Sequence, residues 1–237
     1  MIGLGTIINC AGIIVGGLAG LLFGKGLKPR YRDSLIFVMG LSTLFIGAGG
    51  ALSGMLTFED GKFSTTGSLT LIFSLVLGCL IGELIDIDRA CERLGEWLKK
   101  RSGSGDSRFV NAFVTSSMTV CIGAMAIIGA INDGIYGDIS ILLTKTILDF
   151  LIIIVMTASM GVGCIFSAVP VFALQGSVTL LARLLEPLMT EGAAANLSTV
   201  GSVLIFCVGL NLAFDKHIKV GNLLPSLIFA VAFAFIP

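Results

Sequence analysis

The run IGLGTIINCAGIIVGGLAGLLFG, residues 2–24, contains no charged side chain. It is long enough for one helical crossing of a lipid hydrocarbon layer, which takes about 20 apolar residues. No basic stretch precedes it, and Lys25, Lys28, Arg30 and Arg32 follow it where a cleavage site would stand. The expectation is a first membrane span, not a removed leader. Working outward, Ser34 to Phe58, Phe63 to Gly82 and Phe109 to Asn132 are uncharged runs of similar length. A fifth segment begins near Ile139 and carries Lys145 and Asp149, and nothing from Phe150 to Ala182 is charged. Gly192 to Phe214 and Val220 to Pro237 are the last two apolar segments. Barrel strands would alternate in polarity, and these runs do not. The expected fold is therefore all-α: a polytopic transmembrane helical bundle of 7–8 spans, with residues 1–237 as one domain.

Composition gives the same class. Of the 237 residues 55% are hydrophobic and 13% charged, against about 25% charged in an ordinary soluble domain. The lipid bilayer is the partner this composition demands. A formal net charge of zero speaks against a nucleic-acid partner. Positive charge is unevenly placed: basic clusters follow the first span and fill Arg89 to Arg108, while the loops after the second and fourth spans hold Glu59, Asp60 and Lys62, and Asp133 and Asp138. By the positive-inside tendency the N-terminus faces outside. Within residues 83–108, Leu84, Ile87, Cys91, Leu94 and Leu98 recur at helical spacing before the Ser102-Gly103-Ser104-Gly105 stretch. This reads as a cytoplasmic amphipathic helix and a flexible connector.

A weak internal repeat runs along the chain. Phe37-Val38, Thr43 and Ile46-Gly47-Ala48 match Phe113-Val114, Thr119 and Ile122-Gly123-Ala124, and Gly16 and Gly20 align with Gly78 and Gly82. The unit would be span, connector, span, an arrangement in which parallel repeats are common in transporters. It would make residues 164–182 a broken or re-entrant segment, which Pro170 and Gln175-Gly176 fit. A spanning segment there would instead bring Lys216, His217 and Lys219 to the inner side.

Lys145 and Asp149 stand four residues apart in an otherwise apolar helix, so they share a face. Ionisable residues at such depth by default mark an ion or substrate path; the competing reading is a self-neutralising pair near the outer interface. Asn9, Gln175 and Asn211 either line the same polar interior or tie helices together by hydrogen bonds. Asn132-Asp133-Gly134 reads as a turn at the outer end of the fourth span, with Asp133 at a pathway mouth. Gly12, Gly16, Gly20 and Gly24 form a stripe that lets two helix backbones approach, within the chain or in a homo-oligomer.

Several chemistries are not supported. His217 is the sole histidine, the six cysteines are scattered, and no phosphate-binding glycine loop appears. A metal, a cofactor and an enzymatic centre are not expected.

Gly5-Thr6, Asn9, Val120 to Ile127, Asp133-Gly134, Lys145 and Leu148-Asp149 together resemble the YqgA/YdfK-like family of bacterial membrane proteins. So do Phe166-Ser167, Gln175-Gly176, Gly209-Leu210-Asn211 and Asn222 to Pro225, so the resemblance covers essentially the whole chain. It implies a bacterial cytoplasmic (inner) membrane protein of uncharacterised role and brings no catalytic or ligand residues. The expected function is a secondary transporter or channel for a small solute or ion. The alternative is a non-transporting membrane scaffold or accessory subunit, with the glycine stripe serving assembly.

Overall fold

Uncharged runs have no water to satisfy their backbone groups in a bilayer, so they must close their hydrogen bonds within helices. The computed structural model follows that rule and describes residues 2–24, 28–59, 61–122 and 124–235. Lys25, Asp60, Gly123 and Pro237, which entered the reading of the sequence, lie outside the described residues. The helices are α1 (Leu4–Gly24), α2 (Pro29–Met55), α3 (Ser68–Ile85), α4 (Ile87–Ser102), α5 (Phe109–Cys121), α6 (Ala124–Tyr136), α7 (Ser140–Met160), α8 (Ala168–Leu180), α9 (Ala182–Leu185), α10 (Glu191–Phe214) and α11 (Ser226–Phe233). One antiparallel hairpin, β1 (Leu56–Glu59) and β2 (Lys62–Thr65), interrupts the all-helical plan between α2 and α3. Phe58 and Phe63 meet across it with tilted rings, centroids 4.9 Å apart, and Gly61 and Gly67 adopt the positive φ that its turn and exit require. Apolar residues either side of Gly61 had concealed it within two adjoining runs.

Among the described residues six helices are long and apolar enough to cross a membrane, or seven if the bent pair α5 and α6 is one span. The last apolar segment is shorter, Gly221–Phe233. Large apolar side chains such as Leu18, Phe45, Leu80 and Ile147 are exposed on the outer faces of these helices, as lipid-facing residues are.

Glycines set the pairing. α1 and α7 run parallel in a fixed register: a Cβ on Gly12 would meet Thr146 at 2.6 Å, on Gly16 the Phe150 carbonyl oxygen at 2.8 Å, on Gly20 the Ile154 carbonyl at 2.5 Å and on Gly24 the Ala158 carbonyl at 2.9 Å. The stripe predicted from sequence thus packs against a helix of its own chain. α2 and α10 pair antiparallel, Gly40 lying on Ala213, Gly209 on Leu44 and Gly54 on Thr199. α3 pairs antiparallel with the last segment, Gly78 on Ser226 and Gly82 on Asn222. The two glycine pairs aligned in the sequence repeat therefore serve a parallel and an antiparallel contact. The matched segments also differ in shape, Phe37 to Ala48 lying within continuous α2 while the other copy crosses the end of α5.

The break expected near residues 164–182 lies elsewhere. Val162–Leu180 is counted among the helices able to cross a membrane, starting as a 3-10 turn over Val162–Ser167 and continuing as α8. It begins beside α5, with Gly163 against the Phe109 carbonyl, and reaches the far end of α6, where Gly134 meets Thr179 and Ala182. It does not turn back. Pro170 falls in the first turn of α8, where a missing N–H costs no helical bond. The chain breaks at Ile122 instead, where α5 ends in extended backbone and α6 sets off at 62° to it. No proline marks that position.

With 164–182 traversing the bundle, Lys216 to Val220 return to the end that holds α4. There Lys219 pairs with Glu83 at 3.2 Å, and Asn222 accepts from the Asp88 amide at 2.9 Å. The backbone turns from α3 into α4 at Asp86, φ 55, and Gly95 and Leu98 of α4 bury against Phe109 and Phe113. The apolar face of α4 thus meets protein, while Trp97 stays exposed.

Candidate functional site

α7 carries Lys145 and Asp149 on the face turned away from lipid, and α1, α5 and α8 close around them. Lys145 and Asp149 are only 6% and 3% exposed, and Asn9 and Gln175 are fully buried. Lys145 Nζ donates to Asp149 Oδ1 at 2.9 Å and Oδ2 at 2.8 Å, and to the Val120 carbonyl at 2.8 Å. That carbonyl belongs to the last turn of α5, whose final C=O groups have no partner inside the helix. The break at Ile122 therefore exposes the negative end of a helix dipole to an ammonium. Asp149 sits near the middle of α7, and Lys145 reaches inward to α5.

The carboxylate also orders the amides. Asp149 Oδ2 can only accept, so Asn9 must present its Nδ2, at 3.1 Å. The same Nδ2 donates to Gln175 Oε1 at 3.4 Å, which fixes the Gln175 amide in turn. Asn9 Oδ1 and Gln175 Nε2 are then left buried with no hydrogen-bond partner among the described residues, as is the Thr6 hydroxyl one helical turn along α1. Buried amides are normally satisfied, so such orphaned atoms at an ion pair ask for an explanation.

The remaining candidates fall outside this centre. Asp133, fully buried, lies within α6 rather than in a turn. Its carboxylate accepts from the Gly3 and Gly5 amides at 3.2 and 3.0 Å and caps the start of α1. It belongs to a neighbouring polar position, since α1 carries both Gly5 and Asn9. Asn211 is distant: its side chain donates to the Ile218 carbonyl at 2.8 Å and accepts from the Ile218 amide at 2.9 Å, pinning the loop after α10. Sequence reasoning missed Thr6 and the Val120 carbonyl. A lone hydroxyl in an apolar helix carries little signal, and a backbone carbonyl leaves no residue-type signal.

At the end that holds α4, a cavity of about 870 Å³ opens between α4, α5, α10 and the 215–220 loop. Charged groups of both signs line its mouth, among them Asp88, Arg89, Glu92 and Lys219, and Met118 and Met160 line it as well. From Met160 to Asp149 is eleven residues of α7, about 16 Å at 1.5 Å per residue, and buried Ile153 and Met156 fill that interval. At the other end Leu142 is fully buried against Gly5 and Gly129. Buried apolar side chains thus stand on both sides of the centre along α7. Near the cavity, burial raises the Asp88 carboxyl above its usual range, against the lowering effect of the Asn222 amide. Among the described residues no group of three or more His, Cys, Asp or Glu is placed to hold a metal ion.

Comparison with known proteins gives a family and no activity. The profile described as "Protein of unknown function (DUF554)" matches residues 4–235. The "Uncharacterized membrane protein YdfK" of Bacillus subtilis (strain 168) is 30% identical over 232 residues, 98% of this chain and 96% of the relative. The "Uncharacterized protein YqgA" of Escherichia coli (strain K12) is 28% identical over 233 residues, 96% of this chain and 94% of the relative. No solved structure matches the chain.

Proposed function

Because the chain belongs to the DUF554 family of membrane proteins, for which no activity is described, we propose from its geometry that it is a secondary transporter for a small solute or ion. The observation that carries the proposal is the buried Lys145–Asp149 pair at a helix break, bordered by two amides with unmet hydrogen-bonding atoms. A pair kept only for neutrality needs no adjacent amides whose outer atoms are unsatisfied. Binding sites in transporters lie near the bilayer midplane beside discontinuous helices, and the end of α5 supplies such a discontinuity. The buried centre and the α4-side cavity correspond to an occluded state with a vestibule on one side. No catalytic role is proposed for the centre. The glycine stripe of α1 is taken up by α7, which removes the feature that favoured an assembly scaffold.

The proposed location is the bacterial cytoplasmic membrane, with the N-terminus outside. Arg89, Arg93, Lys99, Lys100, Arg101, Arg108, Lys216 and Lys219 gather at the α4 end, whereas Lys62 and Arg183 stand at the other. The test is an uptake screen of metabolites and ions in proteoliposomes holding the purified protein, against empty liposomes. At least one solute enters faster with protein present; a screen without any protein-dependent flux overturns the transporter reading.

A further inference from the structure

We infer that Lys145 is a tethered cation: its ammonium fills a monovalent-cation site made of oxygens, and loss of its proton empties that site, which makes the proton the coupling ion. The coupling step rests on the transporter reading, while the cation site stands on geometry alone.

Among the described residues the acceptors of Lys145 Nζ are all oxygens: both carboxylate oxygens of Asp149 and the Val120 carbonyl, at 2.8–2.9 Å. One is a full negative charge and another a helix C-terminal carbonyl set free by the break at Ile122. Carboxylate and unwound carbonyl are the ligands that membrane proteins use for alkali cations at discontinuous helices. Asn9 Oδ1, buried and without a partner among the described residues, adds a further acceptor bordering the same carboxylate. The ammonium is held to this site by its own side chain, since residues four apart on a helix share a face. A free cation would therefore be excluded as long as Lys145 is charged.

The site can be emptied without moving the helix. One Nζ–H bond breaks, the proton passes to Asp149 Oδ2 at 2.8 Å, and a neutral amine and neutral acid remain. The acid then gives its proton to water admitted from whichever side is open, leaving a carboxylate ready for a cationic group of the solute or the next proton. Among the described residues, Cys10 of α1 and Cys121 of α5 interact electrostatically with the pair, and α8 contributes the neutral amide of Gln175. Of the other elements packed on α7, α6 carries Asp133, whose carboxylate is held by the Gly3 and Gly5 amides, and the 3-10 turn carries Cys164, whose thiol donates to the Ala112 carbonyl.

The experiment is the thermal unfolding of Lys145→Ala in detergent, with chloride salts of sodium, potassium, ammonium or the bulky N-methylglucamine at equal ionic strength. In N-methylglucamine the variant melts below wild type. One of the small cations restores it, with a rise of roughly 5 °C or more at a hundredfold excess over its Kd. Wild type at neutral pH and the Lys145→Ala/Asp149→Asn double variant show no such response. At a pH raised far enough to strip the ammonium proton, wild type acquires the response. A Lys145→Ala protein that ignores all small cations, or cannot be recovered folded in any of them, overturns the cation site. Wild type that stays insensitive at high pH while Lys145→Ala responds overturns the proton step alone. None of these melts measures transport, so their failure leaves the uptake screen to judge the transporter reading separately.

Discussion

Replacing Asp149 by Asn keeps the shape of the side chain, and its amide oxygen can still accept from Asn9, but among the described residues it removes the only carboxylate that hydrogen-bonds Lys145 Nζ. The ammonium would keep the Val120 carbonyl as an acceptor and little else. Because both side chains of the pair are under a tenth exposed, water cannot screen the loss. Breaking a buried pair from one side costs about 3–5 kcal/mol, while replacing both partners by neutral groups of similar volume is often close to neutral. Asp149→Asn should therefore lower unfolding stability by about 3–5 kcal/mol, and Lys145→Met added to it should recover most of that loss. The assay is a double-mutant cycle by reversible unfolding in mixed micelles. A single-variant cost below about 1 kcal/mol, or no recovery in the double variant, would refute the claim that these two charges depend on each other.

Three further outcomes follow from other parts of the fold. Gly16→Ala places a methyl 2.8 Å from the Phe150 carbonyl oxygen and should cost about 1–3 kcal/mol, whereas Gly49→Ala, with nothing within 4 Å, should be neutral or gain up to about 1 kcal/mol in the same unfolding assay. Burial raises the Asp88 carboxyl, so the folded state binds a proton more tightly than the unfolded chain does. Stability should rise as pH falls from the raised folded pKa toward the ordinary carboxylate range, and Asp88→Asn should flatten that part of the pH profile of unfolding. Single-cysteine labelling on a cysteine-free background should find Gly103 and Lys216 on one membrane face and Gly61 and Glu186 on the other; Lys216 labelling with Gly61 would contradict the traverse by α8.

Much of this was legible in the sequence because a bilayer imposes a strong constraint on long uncharged runs. The spans show as long uncharged runs, while the α4 face and the α1 glycine stripe recur at helical spacing, and sequence displays both signals directly. Lys145, Asp149, Asn9 and Gln175 stood out because polar groups are expensive at that depth, and the fold brings these four together. Other features depend on information that is not local. The break after Cys121 carries no proline, and it is held by a lysine 25 residues away in the chain. Asp133 beside Gly134 has the composition of a turn, yet it continues α6 because its carboxylate finds the amides that open α1 across the bundle. Pro170 pointed to a break where it merely begins a helix.

The central claim is that the Lys145–Asp149 centre works in transport and is not only a neutralised pair. Its most direct test is the flux of whichever solute the uptake screen identifies, measured in proteoliposomes containing the Lys145→Met/Asp149→Asn protein after its unfolding stability has been matched to wild type. This folded double variant should carry no more flux than empty liposomes; flux at the wild-type rate would reduce the centre to a neutralised pair.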